Sequence, residues 1–131
     1  MTDFKRSDEL QPLAMTTSWP RPNVCVIQLA GDLDVSTAPE LTEYLRKQTA
    51  AGPTYLLLDL TAVTFLAAAG VTLIVNAQHN NLGIHGQLHL IGTTDNPLVK
   101  RVLHLTGVRA ILPDHHNVEH ALRQIDDLDR N

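Results

Sequence analysis

Two carboxylates two positions apart, in Asp32-Leu33-Asp34-Val35-Ser36, are the residues whose types and spacing most resemble catalytic machinery. Placed after a strand, such a pair could hold Mg²⁺ and supply a nucleophile, as in a phosphatase. That chemistry also needs a lysine and a second acidic cluster on later loops. The only acids after the other expected strands are Asp95 and Asp114. The pair therefore reads as a solvated loop that aligns a helix entry, and no catalytic residue is assigned. His115-His116 and His120 put two imidazoles at i and i+4, a spacing metal sites use on helices. No glutamate follows the first histidine as in a metalloprotease helix, and His79, His85, His89 and His104 fall on other elements, so they read as surface histidines and no metal or cofactor is expected. Cys25 shares a strand face with Ile27 and Leu29 and reads as a small core residue, and neither common glycine-rich phosphate loop is present.

These residues need elements to position them. Leu13 to Trp19 could form an edge strand, and Val24 to Leu29, rich in β-branched residues and bounded by Pro22-Asn23 and Gly31, is a strand. Thr37-Ala38-Pro39-Glu40 has the spacing of a capping box, with proline in the first turn. Ala38, Leu41, Tyr44, Leu45 and Gln48 continue at helical spacing until Gly52-Pro53. Tyr55 to Leu60 is apolar on both alternating faces, which requires cover above and below the sheet. A helix from about Ala68 to Leu82 turns Val71, Ile74, Val75 and Leu82 inward, and Leu88 to Ile91 follows as a strand. Asp95-Asn96-Pro97 opens a helix with Leu98, Val102 and Leu105 as its expected inward stripe, ending at Gly107. Ala110 to Leu112 is expected as a last short strand, before a helix from about Asn117 with Ala121, Leu122, Ile125 and Leu128 inward. Alternating strands and helices predict an α/β fold with parallel pairs and right-handed crossovers. Functional contacts then gather at the carboxyl ends of the strands, in 30–37 and 61–70.

The chain has 131 residues, 44% hydrophobic and 18% charged, which suits one globular domain with a packed core. Residues 1–12 are polar and unpatterned and read as a flexible arm ahead of a single domain at 13–128. Ten basic against fourteen acidic residues give a charge of −4, which argues against a nucleic-acid partner. The longest nearly apolar run, Val63 to Val75, is thirteen residues against the about 20 a membrane span needs. The protein is therefore not expected to be membrane-embedded. A cytoplasmic location is expected, because Asp3, Lys5, Arg6, Asp8 and Glu9 leave no signal-peptide stretch and Cys25 has no internal partner. The end, Asp126-Asp127-Leu128-Asp129, reads as a solvated face.

The stretch from Asp59 to Val71, Asp-Leu-Thr-Ala-Val-Thr-Phe-Leu-Ala-Ala-Ala-Gly-Val, resembles the central signature of STAS domains, the family of bacterial anti-sigma factor antagonists. Leu29 to Asp34 followed by Ser36-Thr37-Ala38 resembles the family's first conserved loop. Asn96 to Leu103 with Thr106-Gly107-Val108 resembles its third helix and exit. Together these span about residues 22–125. The resemblance implies a STAS-like mixed sheet of four to five strands with about four helices.

It also implies a switch protein, not an enzyme, that binds an anti-sigma factor or serine kinase so that a sigma factor is freed. In the family, the loop before the second helix reads Asp-Ser-Ser-Gly, and the kinase phosphorylates the serine before the glycine. Here the loop is Ala67-Ala68-Ala69-Gly70, so Ala69 stands where the phosphate acceptor would be. Alanine has no hydroxyl, and the nearby substitutes are Thr61, Thr64 and Thr72. The resemblance points to Asp32, Asp34, Ser36, Thr37, Thr64 and residues 67–70 as the partner-binding positions, with Asp34 matching the family's acid. A constitutive subunit bracing a membrane transporter ATPase also fits the missing serine. Small-ligand sensing at the strand ends has no support beyond the fold.

Overall fold

The computed structural model describes residues 12–130, so most of the expected arm, residues 1–11, lies outside the described residues. Strand β1 (Ala14–Arg21) turns at Pro22-Asn23 into β2 (Val24–Leu33), and helix α1 (Ala38–Gln48) leads to β3 (Tyr55–Leu66). Helix α2 (Ala68–Ala77) continues through a π turn at Gln78–Leu82 to β4 (Gln87–Ile91), and α3 (Pro97–Leu105) leads to β5 (Asp114–His115) and α4 (Val118–Asp129). The sheet order is β1-β2-β3-β4-β5, with β1 antiparallel to β2 and all later neighbours parallel. Five strands and four α-helices among the described residues give the expected mixed α/β architecture.

Side-chain alternation along the strands splits the core between the two faces of the sheet. Cys25, Ile27 and Leu29 of β2 and Leu56, Leu58 and Leu60 of β3 pack under α1, α2 and α3, through Leu41, Leu45, Val71, Ile74, Val99 and Leu103. Val24, Val26, Tyr55, Leu57 and Ile91 point the other way and are covered by Ala121 and Ile125 of α4. The continuous apolar reading of Tyr55 to Leu60 follows from this, because α4 closes the second face alone.

Four expectations need correction. Ala110 to Leu112 is not the last strand: Val108–Ala110 forms a 3₁₀ turn after Gly107, and the strand is the two-residue β5. The inward stripe of α3 is Val99 and Leu103 with half-buried Val102, whereas Leu98 and Leu105 are exposed. With proline at its first position, the helix begins at Pro97 and seats Val99 inward. Leu128 is exposed, because on the last turn of α4 it is Asp129 that meets the sheet, accepting from the Tyr55 hydroxyl at 3.2 Å. The capping box does not form: Thr37 makes no side-chain cap, and its hydroxyl instead donates to Asp32 O at 2.8 Å.

The strands β2 and β3 also run past their expected ends at Leu29 and Leu60. β4 pairs with β3 only as far as Asp59, so residues 60–66 of β3 have β2 alone as a strand partner. Their other edge is served by Asn96, whose side-chain amide donates to Leu60 O at 3.0 Å, Thr61 O at 3.2 Å and Val63 O at 2.8 Å. The same side chain accepts from Val99 N at 3.3 Å as the N-cap of α3. Gly92 lies against Thr61 with φ 77°, where a Cβ would sit 1.7 Å from Thr61 Oγ1. Removing the buried Asn96 amide leaves carbonyls unpaired and one helix uncapped, so Asn96→Ala is expected to cost about 2–3 kcal/mol in denaturant unfolding. Asn96→Asp, which keeps the cap acceptor but cannot donate, is expected to recover less than half of that loss.

Candidate functional site

The overhanging ends of β2 and β3 carry both sequence-predicted loops. Two register shifts in the β2–β3 pairing, after Gln28 and after Gly31, bring Asp32 opposite Phe65 and Leu33 opposite Leu66. The entry to α1 then lies beside the entry to α2, and Ala67 N donates to Leu33 O at 2.9 Å across the junction.

At the α1 entry, Asp34 takes the Thr37 amide that Glu40 would have taken in a capping box. Its Oδ1 accepts from Ser36 N at 2.9 Å, Ser36 Oγ at 2.7 Å and Thr37 N at 3.1 Å. The Ser36 hydroxyl, followed by the two backbone amides, holds the Asp34 carboxyl below its ordinary range despite partial desolvation. Asp34 is half-buried, while Ser36 is exposed and Thr37 is buried. Asp32 is only 3% exposed and faces inward, where its Oδ1 accepts from Thr64 Oγ1 at 2.7 Å. The carboxylate pair is thus divided: Asp32 ties β2 to β3, and Asp34 shapes the loop.

At the α2 entry, Ala67 is the N-cap residue and has no side-chain cap, so the first turn opens on three small apolar side chains. Ala67 and Ala69 are half-buried, Ala68 is exposed and Gly70 is buried. Gly70 permits the junction, since a Cβ there would meet Leu33 Cγ at 2.6 Å. Of the three threonines, Thr61 donates to Asp59 Oδ1 at 2.6 Å, Thr64 is held by Asp32, and Thr72 lines a groove between α1 and α2.

That groove holds about 750 Å³ and is lined by Val35, Ala38, Pro39, Ala69 and Leu73 among others. Val35 is 78% exposed at its mouth, and Phe65 is 44% exposed at the end of β3. Both were missed from the sequence. Phe65 sits inside a nearly apolar run, and only the burial spacing of Val63 and Leu66 along the overhang turns it outward. Exposed apolar side chains thus stand beside a neutral helix entry and a fixed carboxylate.

The other titratable candidates lie elsewhere. Burial raises the Cys25 thiol to about 11, so it stays protonated in the core. His116 faces Asp95 at 3.6 Å, ahead of α4, and does not share a helix face with His120. Among the described residues no group of three or more His, Cys, Asp or Glu is arranged to hold a metal ion.

The sequence model of the STAS domain matches residues 20–122. A curated relative, the anti-sigma-F factor antagonist RsfB of Mycobacterium tuberculosis, is 29% identical over 85 residues, covering 65% of this chain and 67% of that protein. The crystal structure of an anti-sigma factor antagonist from Mycobacterium paratuberculosis superposes with a TM-score of 0.74 at 27% identity, covering 87% of this chain and 94% of that one. The anti-sigma factor antagonist SpoIIAA in its unphosphorylated form has the same fold, with a TM-score of 0.72 at 19% identity over 87% of this chain and 97% of its own.

Two substitutions check this geometry. Asp34→Ala removes the loop's acceptor and is expected to cost about 1 kcal/mol at neutral pH, as for a lost helix cap. A carboxyl whose folded value is depressed stabilises above its unfolded value near 3.8, so the cost of this variant should shrink as pH falls below 4. Gly70→Ala is expected to cost about 1–3 kcal/mol through the Leu33 clash, read as a lower thermal midpoint.

Proposed function

The chain belongs to the STAS domain family, and we propose that it is an anti-sigma factor antagonist acting by protein–protein contact in the cytoplasm. Its partner is an anti-sigma factor of the serine-kinase type, and capture of that partner frees a sigma factor to direct transcription. The kinship with RsfB and with the mycobacterial antagonist structure supports this reading. The observation that carries it is the surface at the β2–β3 overhang, where Asp34, Val35, Ser36, Phe65 and Ala67–Ala69 stand together at the two helix entries.

In this reading Asp34 and Ser36 supply the polar contacts, and Val35, Phe65 and Ala68 supply the apolar ones. Asp32, Thr37, Thr64 and Gly70 position them: Asp32 through Thr64, Thr37 through the turn, and Gly70 through Leu33. Ala69 takes no phosphate. A phosphoserine there would bring about 1.5–2 negative charges and three acceptor oxygens to the middle of the contact. Without it, the complex is not broken by phosphorylation at that position.

The test is binding of the purified chain to the serine-kinase anti-sigma factor encoded in the same genome, with ADP present. Asp34→Lys and Ala69→Glu are each expected to weaken the complex at least tenfold while the thermal midpoint stays within about 5 °C. Ala67→Asp with Ala69→Ser is expected to restore ATP-dependent phosphorylation and release. No binding by the parent chain, together with stoichiometric association with a transporter ATPase, would replace this reading with the bracing-subunit one.

A further inference from the structure

Three imidazoles form a hydrogen-bonded chain on the face that α4 covers. His89 of β4 is 3% exposed, and its Nδ1 lies 2.8 Å from Nε2 of His115 of β5, with the rings stacked at 5.0 Å. Nδ1 of His115 lies 3.3 Å from Nδ1 of half-buried His120 on α4. At the inner end, His89 Nε2 lies 3.2 Å from the side-chain oxygen of Gln87. That oxygen can only accept, so Nε2 of neutral His89 carries the hydrogen and Nδ1 accepts from His115. His115 Nδ1 then accepts from His120, and the chain runs in one direction, with His89 and His115 each donating once and accepting once. His115 uses its two nitrogens on opposite sides, so the rings are strung in line and do not converge on one point as metal ligands would.

The hydrogen bonding leaves room for one extra hydrogen, on the outer nitrogen of the last ring, without losing a bond. A second proton sets two N–H groups against each other across a contact of 2.8 or 3.3 Å. The surroundings do not favour charge at the inner end. The rings of Tyr55 of β3 and His89 meet edge to face at 5.8 Å, and the Tyr55 hydroxyl donates to Asp129 at 3.2 Å. Asp114 of β5 draws a proton toward His115, yet it is already engaged by Arg109 at 3.3 Å and by the Thr93 hydroxyl at 2.6 Å. Glu119 of α4, beside His120, is exposed, and His116 faces Asp95. The other polar ties of α4 are at its far end, Arg21 to Asp126 at 3.3 Å and Asn23 to Asp129 at 3.4 Å.

We propose that the His89–His115–His120 chain is a proton-operated latch that pins α4 to β4 and β5 at neutral pH and releases α4 on mild acidification, while the α1–α2–α3 side of the sheet keeps its packing. Burial, reinforced by His115, lowers His89 to about 4, and burial with His120 lowers His115. Once α4 lifts away, His89 and His115 return to about 6.5. The open form therefore binds protons more tightly. The latch's contribution is fully present above about pH 6.5 and is lost as pH falls toward 4. His89 alone would raise the opening constant on the order of 30-fold between pH 7.5 and 5.0.

The test is hydrogen–deuterium exchange of the full chain at pH 7.5 and 5.0, corrected for intrinsic rates. Protection of 118–129 is expected to fall at least tenfold at pH 5.0 while that of 24–29 and 56–60 is retained. His89→Gln combined with His115→Gln, which leaves neither depressed imidazole to titrate, is expected to reduce the pH dependence below threefold. His120→Gln, at the half-buried end and safer for folding, is expected to shift the onset of release to lower pH. Equal loss of protection in all elements, no loss in 118–129 at pH 5.0, or the same loss in both variants would overturn the latch.

Discussion

A strand that outruns its neighbour must find partners for its bare edge, and the arrangement of this protein follows from how β3 does so. Past Asp59, β3 has β2 on one side and nothing of β4 on the other. An unpaired buried carbonyl costs about as much as a lost hydrogen bond, so the overhang persists only because one amide, Asn96, serves three carbonyls while also capping α3. The register shifts, the tie from Asp32 to Thr64 and the close approach of Gly70 to Leu33 all act on this projection. They hold the two helix entries side by side, which is what a protein-binding surface requires of its scaffold.

Much of the scaffold was legible in the sequence because it rests on local patterns: the β-branched run at Val24 to Leu29, the doubly apolar run at Tyr55 to Leu60, the proline and glycine punctuation of the helices. Where the reading failed, a tertiary demand overrode a local one. Thr37-x-x-Glu40 has the spacing of a capping box, but Asp34 already occupies the turn and the threonine hydroxyl is drawn to the Asp32 carbonyl. Leu98 and Leu105 are as apolar as Val99 and Leu103, and which pair faces inward is set by how Asn96 seats the helix. The last strand is two residues long, too short for any periodicity to announce it.

The candidate site was legible by position and less so by role. Asp32 and Asp34 look equivalent in sequence, yet one is buried as a tie between strands and the other is held open by three donors. Val35 and Phe65 complete the exposed apolar surface, and neither carries a sequence signal apart from its neighbours. The histidines illustrate the same limit, since His89, His115 and His120 lie on three elements and meet only because β5 pairs with β4 and α4 folds back across the sheet.

The central claim is that this surface binds its partner without the usual phosphorylation switch, because Ala69 offers no hydroxyl. The most direct measurement is the dissociation constant for the serine-kinase anti-sigma factor before and after prolonged incubation with ATP, with intact-mass analysis of the chain from the same sample. The account predicts an unchanged constant and an unmodified mass. One phosphate per chain, on Thr61, Thr64 or Thr72, accompanied by loss of binding, would contradict it.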